Sequence, residues 1–313
     1  MLSRVADSIY WMNRYMERAE NVARFVDVNL NLMLDMPLPG AAQWDALVAT
    51  SGDTGYFREH YGEATQDAVL RFLTADAAYP NSILACLHSA RENARSVRDA
   101  ISSEMWEQVN RSYLQVREAA LAGTVTHAPN EFFSAVKLAC HLFVGLTYLT
   151  MSHNEGWHFG RLGRLIERAD KTSRIVDVKY FLLLPSPADI GSAYDEIQWG
   201  ALLKSASAFE MYRKRYGRIS PTGVIEFLLL DPEFPRSLRY CVRKVERSLV
   251  AIAGDRKAEE IGPAAARTAE LRQAIDSDTV AGIIAGGVHQ YLDAVQTKLN
   301  DVGEAVHQTF FAT

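Results

Sequence analysis

Cysteine is scarce in this chain of 313 residues. Its three cysteines, Cys86, Cys140 and Cys241, are far apart in the sequence, and none belongs to a CxxC pair. Three scattered cysteines are too few for the disulfide framework of a secreted protein. We therefore expect a reducing, cytoplasmic setting.

The sequence also lacks a basic excess and a long uninterrupted apolar run. The formal net charge is −5 and the pI is about 5.9, which argues against a protein that coats nucleic acid or an acidic membrane. The most apolar stretch, residues 132–151, contains Lys137 and His141, so we predict a buried core helix and not a membrane span. The first residues lack the basic start and apolar core of a signal peptide. We expect no nucleic acid and no membrane as partner.

The short motifs of several enzyme classes are missing as well. The chain contains no GxxxxGK[ST], GxGxxG, HExxH or GxSxG motif, so nucleotide hydrolysis and α/β-hydrolase chemistry lose their usual support. Cys86 and Cys241 lie among apolar residues, where a buried structural cysteine is more common than a nucleophile.

What the chain does have is helical periodicity. Apolar residues make up 48% and charged residues 23%, as in ordinary folded proteins. Between residues 3 and 34 the apolar side chains recur at steps of three and four, which predicts one long amphipathic helix. No segment alternates with the period of a strand. We predict an all-α fold of ten to twelve helices, with Pro80 and Pro235 in the first turns of two of them.

An internal duplication divides the chain. Residues 14–28 and 164–178 are identical at eight of fifteen positions, a shift of 150 residues, and beyond the next loop the shift becomes 155. We therefore predict two tandem, diverged helical-bundle repeats, residues 1–152 and 153–313, related by a pseudo-two-fold axis. The two long helices near residues 3–34 and 155–184 are expected to be partners.

Charged residues form a stripe on each of these long helices, at spacings of three and four. The members of the two stripes are Arg14, Glu17, Arg18, Glu20, Arg24 and Asp27 in the first copy and Arg164, Glu167, Arg168, Asp170, Arg174 and Asp177 in the second. Solvent-facing charges exchange freely, because a surface substitution changes stability by only about 0.5 kcal/mol. Shared charges therefore indicate either reciprocal ion pairs between the two helices or a binding or catalytic cleft.

Two ExxH motifs raise the question of a metal site. Glu155/His158 and Glu304/His307 have the spacing that, with two further glutamates, builds a dinuclear iron or manganese centre. The two motifs do not occupy equivalent positions in the duplication. We expect no metal and no other cofactor.

A basic stripe occurs in the second half alone. Its members, spaced three or four residues apart, are Arg236, Arg239, Arg243 and Arg247. The first half has Asn81, Leu84, His88 and Glu92 at the corresponding positions. The stripe is either a partner-binding surface for an acidic protein or an ordinary solvated helix face.

Residues 10–24 and 156–170, which contain the pairs Glu17-Arg18 and Glu167-Arg168, resemble the alpha-E family of helical domains named for a Glu-Arg motif. The resemblance implies an association with a circularly permuted ATP-grasp-like amide ligase and a transglutaminase-like protein. It favours a non-catalytic helical scaffold that takes part in peptide or amide formation. The alternative is an enzyme, metal-dependent or using Glu/Arg acid-base chemistry, that acts on a peptide or amide. The sequence leaves the oligomeric state open.

Overall fold

The computed structural model describes residues 1–35, 40–182, 193–254 and 262–312, and within these ranges it contains helices and no strand. The chain is all-α, as predicted. In chain order the helices are α1 (Ser3–Asp35), α2 (Gly40–Ser51), α3 (Thr54–Tyr61), α4 (Gln66–Thr74), α5 (Ile83–Ser96), α6 (Ser103–Leu121), α7 (Thr124–His127), α8 (Pro129–Thr150), α9 (Glu155–Leu182), α10 (Ala193–Ser205), α11 (Phe209–Tyr216), α12 (Pro221–Leu230), α13 (Leu238–Ala253), α14 (Gly262–Ser277), α15 (Val280–Gly286) and α16 (Val288–Phe310).

The long helices α1 and α9 pack against each other at the centre of the molecule. Helix α1 also contacts α5 and α8, while α9 contacts α13 and α16. Two hydrophobic cores lie on either side of this pair. One is built mainly from α1 to α8 and contains Ile9, Met12 and Met16, and the other is built mainly from α9 to α16 and contains Leu162 and Leu165. The apolar stripe of each long helix thus faces its own half of the chain.

Serine caps determine where α5 and α13 begin. The hydroxyl groups of Ser82 and Ser237 accept hydrogen bonds from the third residue beyond them, so each serine satisfies a free N–H of the first turn. Pro80 therefore lies outside α5, and the corresponding Pro235 outside α13. The prediction that these prolines occupy first helical turns was wrong, because each proline lies two residues before the serine N-cap, in the turn that precedes the helix.

The carbonyl groups of these prolines accept hydrogen bonds from buried thiols. The Sγ atom of Cys86 lies 3.6 Å from the carbonyl oxygen of Pro80, and that of Cys241 lies 3.5 Å from that of Pro235. Burial raises the pKa of both thiols to about 12. Thiolates are the reactive form of cysteine, so both side chains have a structural role in these cores.

Helix α8 has two unlike faces. By length and composition it is the one helix in the described ranges that is suited to cross a membrane, and 33% of its most apolar window is buried. Phe132, Phe133 and Phe143 lie in the first core, whereas Leu138 and Leu149 are exposed. The predicted core helix is thus buried along one side.

Gly163 permits the close approach of α9 to α1. A Cβ atom at this position would lie 2.4 Å from the backbone oxygen of Tyr10, and that atom cannot move without α1. Gly163→Ala is therefore expected to destabilise the protein by about 1–3 kcal/mol, the usual cost of overpacking. Urea unfolding measures the change.

Gly145→Ala is the matched control for this substitution. Gly145 also lies within a helix, α8, but a Cβ atom there would meet nothing within 4 Å. Alanine should stabilise that helix by up to about 1 kcal/mol through its higher helix propensity. Equal effects of the two substitutions would contradict the role of the close approach.

Candidate functional site

Two reciprocal ion pairs join α1 to α9. The guanidinium group of Arg18 donates two hydrogen bonds to the carboxylate of Glu167, at 2.6 and 2.9 Å. Arg168 donates two to the carboxylate of Glu17, at 2.7 and 2.8 Å. The structure therefore contains the inter-helix pairing predicted from the duplication. Bidentate pairs of this kind combine strength with a fixed geometry.

Further cations bind these two glutamates, but they differ between the halves. Glu167 also receives a 3.1 Å hydrogen bond from Arg14 of α1. Glu17 instead lies 3.5 Å from Arg236, which donates 2.7 Å hydrogen bonds to Glu20 and Asn21. We call the six charged residues Arg14, Glu17, Arg18, Glu167, Arg168 and Arg236 the central network.

The remaining charges of the first stripe lie toward α8. Arg24 donates a 2.8 Å hydrogen bond to Glu20, whose carboxylate also lies 3.2 Å from Nε2 of His141. Lys137 donates a 2.6 Å hydrogen bond to Asp27. Both α8 residues were missed as site residues, although they are the polar interruptions of an otherwise apolar segment.

The remaining charges of the second stripe are also paired. Arg174 donates hydrogen bonds to Asp170 at 3.0 Å, and the Nζ atom of Lys171 lies 3.4 Å from the same carboxylate. Asp177 lies 2.7 Å from Nδ1 of His289. Every stripe residue except Arg164 thus has a partner of opposite charge or a histidine.

The carboxylates at the centre stay ionised. Burial alone would raise the pKa of Glu167, but Arg18 and Arg14 hold it well below the ordinary value. Burial opposes ionisation of Glu17 and Glu20 too, yet the guanidinium groups of Arg168 and Arg236 lower both pKa values. Such carboxylates are poor general acids or bases near neutral pH.

The predicted basic stripe is not one exposed helix face. Arg236 is buried and precedes α13, so Ser237, the N-cap, separates it from the helical spacing. Arg239 donates hydrogen bonds to the carbonyl groups of Leu230 and Ile275. The stripe was predicted as a continuous surface, and this was wrong because the chain turns at Ser237.

The two outer members of the stripe differ from Arg236 and Arg239. Arg243 donates a 3.1 Å hydrogen bond to Asp276. Arg247 is exposed and has no such partner in the described residues. Of the four arginines, Arg247 is therefore the one that is exposed and has no salt bridge among the described residues.

The glutamates of the two ExxH motifs bind groups outside the central network. Glu155 binds the N-terminal ammonium group of Met1 at 2.8 Å, and Glu304 accepts a 2.8 Å hydrogen bond from Gln308. Among the residues that the structure describes, no three His, Cys, Asp or Glu side chains form a group suited to a metal ion.

A cavity of about 280 Å³ opens beside the central network. Its walls come from α1, α8 and α9, with Arg236 at one side. Arg164 of α9 also borders it, but makes no hydrogen bond or salt bridge within the described ranges, and its Nε atom is buried. Burial, together with the neighbouring Arg168, lowers the pKa of Arg164 to about 10. Arg164 therefore borders the cavity without a salt bridge in the described residues, although Glu17 lies close enough to offset part of its charge.

Arg14 and Arg164 are equivalent in the duplication, but their surroundings differ. Arg14→Met is expected to destabilise the protein, because it removes a 3.1 Å hydrogen bond to a buried carboxylate. Arg164→Met is expected to stabilise it by about 1 kcal/mol, because the guanidinium group is partly buried without a salt bridge and so carries a desolvation cost. Urea unfolding of the two variants tests this. Destabilisation of similar size in both would contradict the distinction.

The fold and the central network define an all-helical protein whose two long helices are joined by reciprocal Glu-Arg pairs. The chain belongs to the Alpha-E family, described as a predicted alpha-helical domain with a conserved ER motif, which matches residues 1–311. The Glu-Arg pairs that carried the resemblance are thus at the centre of the fold.

The chain is also similar to uncharacterised mycobacterial proteins. It is 25% identical to one from Mycobacterium bovis and 24% identical to one from Mycobacterium tuberculosis strain H37Rv, over 99% of its own length in both comparisons. It spans only 37% of the length of these relatives. No solved structure matches the chain.

Proposed function

We propose that this chain is a non-catalytic helical scaffold that acts with an ATP-grasp-type amide ligase in peptide or amide formation. The observation that carries the proposal is the mutual engagement of the central charges: Glu17 and Glu167 are held by arginines and lie low in pKa. Charges used in this way hold two halves together and are not free for proton transfer.

The relatives support an association with other protein units. Because the chain spans 37% of their length, the region similar to it is joined in them to a larger remainder. The partners that we propose, from the family resemblance, are a circularly permuted ATP-grasp-like ligase and a transglutaminase-like protein. The three free, buried cysteines are consistent with a reducing compartment, and we propose the cytoplasm.

We further propose that residues 1–152 and 153–313 are duplicated repeats related by a pseudo-two-fold axis. Equivalent local contacts support this. Ser82 and Ser237 both donate to the carbonyl group of an aspartate, Asp76 in the first half and Asp231 in the second. The Glu-Arg pairs are also equivalent: Arg18 of α1 binds Glu167 of α9, and Arg168 of α9 binds Glu17 of α1.

Co-expression tests the scaffold function. The full chain would be produced with the ATP-grasp-like ligase of the same organism, and the mixture analysed by size-exclusion chromatography with light scattering. A complex of defined stoichiometry, together with a higher rate of amide formation than that of the ligase alone, is the expected result. Separate elution at micromolar concentrations and an unchanged rate would contradict the proposal.

One observation favours the enzyme alternative. His141 is more than half exposed beside the cavity, and its Nε2 atom lies 3.2 Å from the buried carboxylate of Glu20. A carboxylate that orients an accessible imidazole is an arrangement used for general acid-base catalysis. His141→Gln separates the two functions. It should abolish product formation if the chain is an enzyme, and leave the ligase complex and its rate unchanged if the chain is a scaffold.

A further inference from the structure

An apolar stripe runs along the outward side of α8. Its members follow one another at alternating steps of three and four residues and are Ala135, Leu138, Leu142, Gly145 and Leu149, which we call the outer stripe. Its leucines face solvent: Leu138 is 67% exposed, Leu142 49% and Leu149 79%. Single exposed leucines are common on protein surfaces, but a contiguous row of them marks an interaction surface.

The second half shows that the fold does not require this stripe. Helix α16 corresponds to α8, because each packs against the long helix of its own half and against the helix two places before it. In α16, which the structure describes in full, no large apolar side chain is exposed. Its outward residues include Asp293, Asn300, Asp301 and Glu304. The outer stripe therefore has a cause outside the packing of the monomer.

The spacing of the outer stripe is that of a seam between two helices. Alternating steps of three and four keep side chains in line with a second helix that crosses at about 20°. When two such helices run antiparallel, Leu142 of one lies opposite Gly145 of the other, and Leu138 lies opposite Leu149. A Cβ atom at Gly145 would meet nothing within 4 Å, so this position has room for a leucine from outside. The outer stripe thus complements a second copy of itself.

A cavity beside the stripe offers room for a protruding side chain. It has a volume of about 220 Å³, lies between α6 and α8, and has a mainly apolar wall that includes Val116, Ala135 and Ala139. The two alanines lie on either side of Leu138 in the sequence, so Leu149 of a second copy comes next to the cavity in the antiparallel arrangement. Filling an apolar cavity with an exposed leucine removes apolar surface from water on both copies.

The charges around the stripe favour a second copy as the partner. The residues that flank the seam are all without formal charge at neutral pH: Ser134, Ala139, His141, Leu146 and Tyr148. In a symmetric antiparallel dimer each flank meets the same flank of the other copy, so lysines or glutamates there would repel their own counterparts. Lys137, further round the helix, is bound to Asp27 of the same chain at 2.6 Å. A membrane is disfavoured, because helices that lie on membranes carry lysines and arginines beside the apolar face.

We propose that this chain forms a symmetric homodimer in which the outer stripes of two copies pack against each other antiparallel. The helical rise makes the stripe about 21 Å long. A contact of this length alone buries less than the about 800 Å² per partner of a standard interface. The dimer is therefore in equilibrium with the monomer and forms as the protein concentration rises. This inference goes beyond the scaffold function and does not depend on it.

Sedimentation velocity of the full chain from about 1 μM to about 1 mM tests the proposal, because this range covers weak interfaces. The average mass should rise from that of one chain, 34.9 kDa, toward twice this value. Leu142→Glu should weaken the dimer about tenfold or more, because it places a carboxylate in the apolar seam of both copies. The matched control is Leu121→Glu, which adds the same charge at a leucine of α6 that is 84% exposed and outside the stripe. It should leave the dimer unchanged, and an equal loss in both variants would overturn the proposal.

Charge pairs test the antiparallel arrangement. Leu138→Glu/Leu149→Glu brings like charges together in the dimer, whereas Leu138→Glu/Leu149→Lys brings opposite charges together. The second variant should dimerise about tenfold more tightly at low salt, and the difference should shrink at about 1 M salt. A mixture of the Glu/Glu variant with Leu138→Lys/Leu149→Lys should form a heterodimer that neither forms alone. Equal dimerisation of the Glu/Glu and Glu/Lys variants would overturn the arrangement. Circular dichroism and urea unfolding verify that each variant is folded.

Three further outcomes would overturn the dimer. The first is a wild-type chain that stays monomeric at about 1 mM, far above the concentrations at which weak interfaces form. The second is a monomeric chain that binds vesicles of phosphatidylcholine and phosphatidylglycerol and loses this binding with Leu142→Glu, which would assign the stripe to a membrane. The third is a monomeric chain whose ligase complex is lost with Leu142→Glu, which would assign the stripe to the ligase and leave the scaffold function standing. Dimerisation without a ligase complex would support this inference and contradict the proposed function.

Discussion

Replacing Glu167 by glutamine is expected to lower the free energy of unfolding by about 3–5 kcal/mol. The side chain of Glu167 is fully buried and accepts hydrogen bonds from Arg14 and Arg18. Glutamine has nearly the same shape but no charge, so both guanidinium groups would lose the anion that offsets their burial. Removing one member of a buried pair costs far more than the pair itself contributes. Urea or thermal unfolding measures the loss.

Glu270→Gln is the control for this prediction. Glu270 also accepts from an arginine, Arg267 at 3.3 Å, but both side chains are more than half exposed. An exposed ion pair contributes at most about 1 kcal/mol, so the control should unfold almost as the wild type does. A similar small effect at Glu167 would show that water compensates the two arginines and that the central network does not stabilise the contact between α1 and α9.

The central pairing was predictable because the sequence contains it twice. Glu17-Arg18 and Glu167-Arg168 are related by a shift of 150 residues, and identical charges on two long helices indicated that the helices meet. Amphipathic periodicity likewise predicted the helices themselves. Helical periodicity is a local property, and the Glu-Arg pair is repeated in the sequence. Both can therefore be recognised without knowing how the chain runs between the helices.

The contribution of Arg236 was not predictable in this way. Its side chain binds Glu20 and Asn21, which are more than 200 residues away in the sequence. Arg236 also lies in the turn before α13, whereas its spacing from Arg239 had predicted that it belongs to the helix. The first half has Asn81 at the equivalent position, and this amide accepts a hydrogen bond from Arg18. Asn81 in the first half and Arg236 in the second are therefore equivalent residues with opposite roles. Asn81 accepts a hydrogen bond, whereas Arg236 donates hydrogen bonds.

The different roles of Arg14 and Arg164 also lie beyond the sequence. The two residues are identical and equivalent, so the duplication predicts equal roles for them. In the structure Arg14 binds Glu167, whereas the counterpart of that carboxylate, Glu17, is bound by Arg168 and lies near Arg236. Competition for one carboxylate leaves Arg164 without a partner, and only the packed arrangement shows it.

Acid is expected to unfold this protein steeply below about pH 4.5. Four buried carboxyl groups, those of Glu17, Glu20, Glu167 and Asp170, have pKa values below the ordinary 4.5 for glutamate and 3.8 for aspartate. The unfolded chain therefore binds protons that the folded chain does not as the pH falls through this range. Their stabilisation is complete above the unfolded pKa values and decreases as the pH falls toward the folded ones.

The expected slope follows from the number of protons. Each carboxyl group contributes about 1.4 kcal/mol per pH unit, so four groups give up to about 5 kcal/mol per pH unit where only the unfolded chain is protonated. Urea unfolding at pH 6, 5, 4 and 3.5 measures the slope. Glu167→Gln should reduce it by about one proton, and Glu270→Gln should leave it unchanged. A slope that Glu167→Gln leaves at the wild-type value would mean that this carboxylate is not held ionised by Arg14 and Arg18.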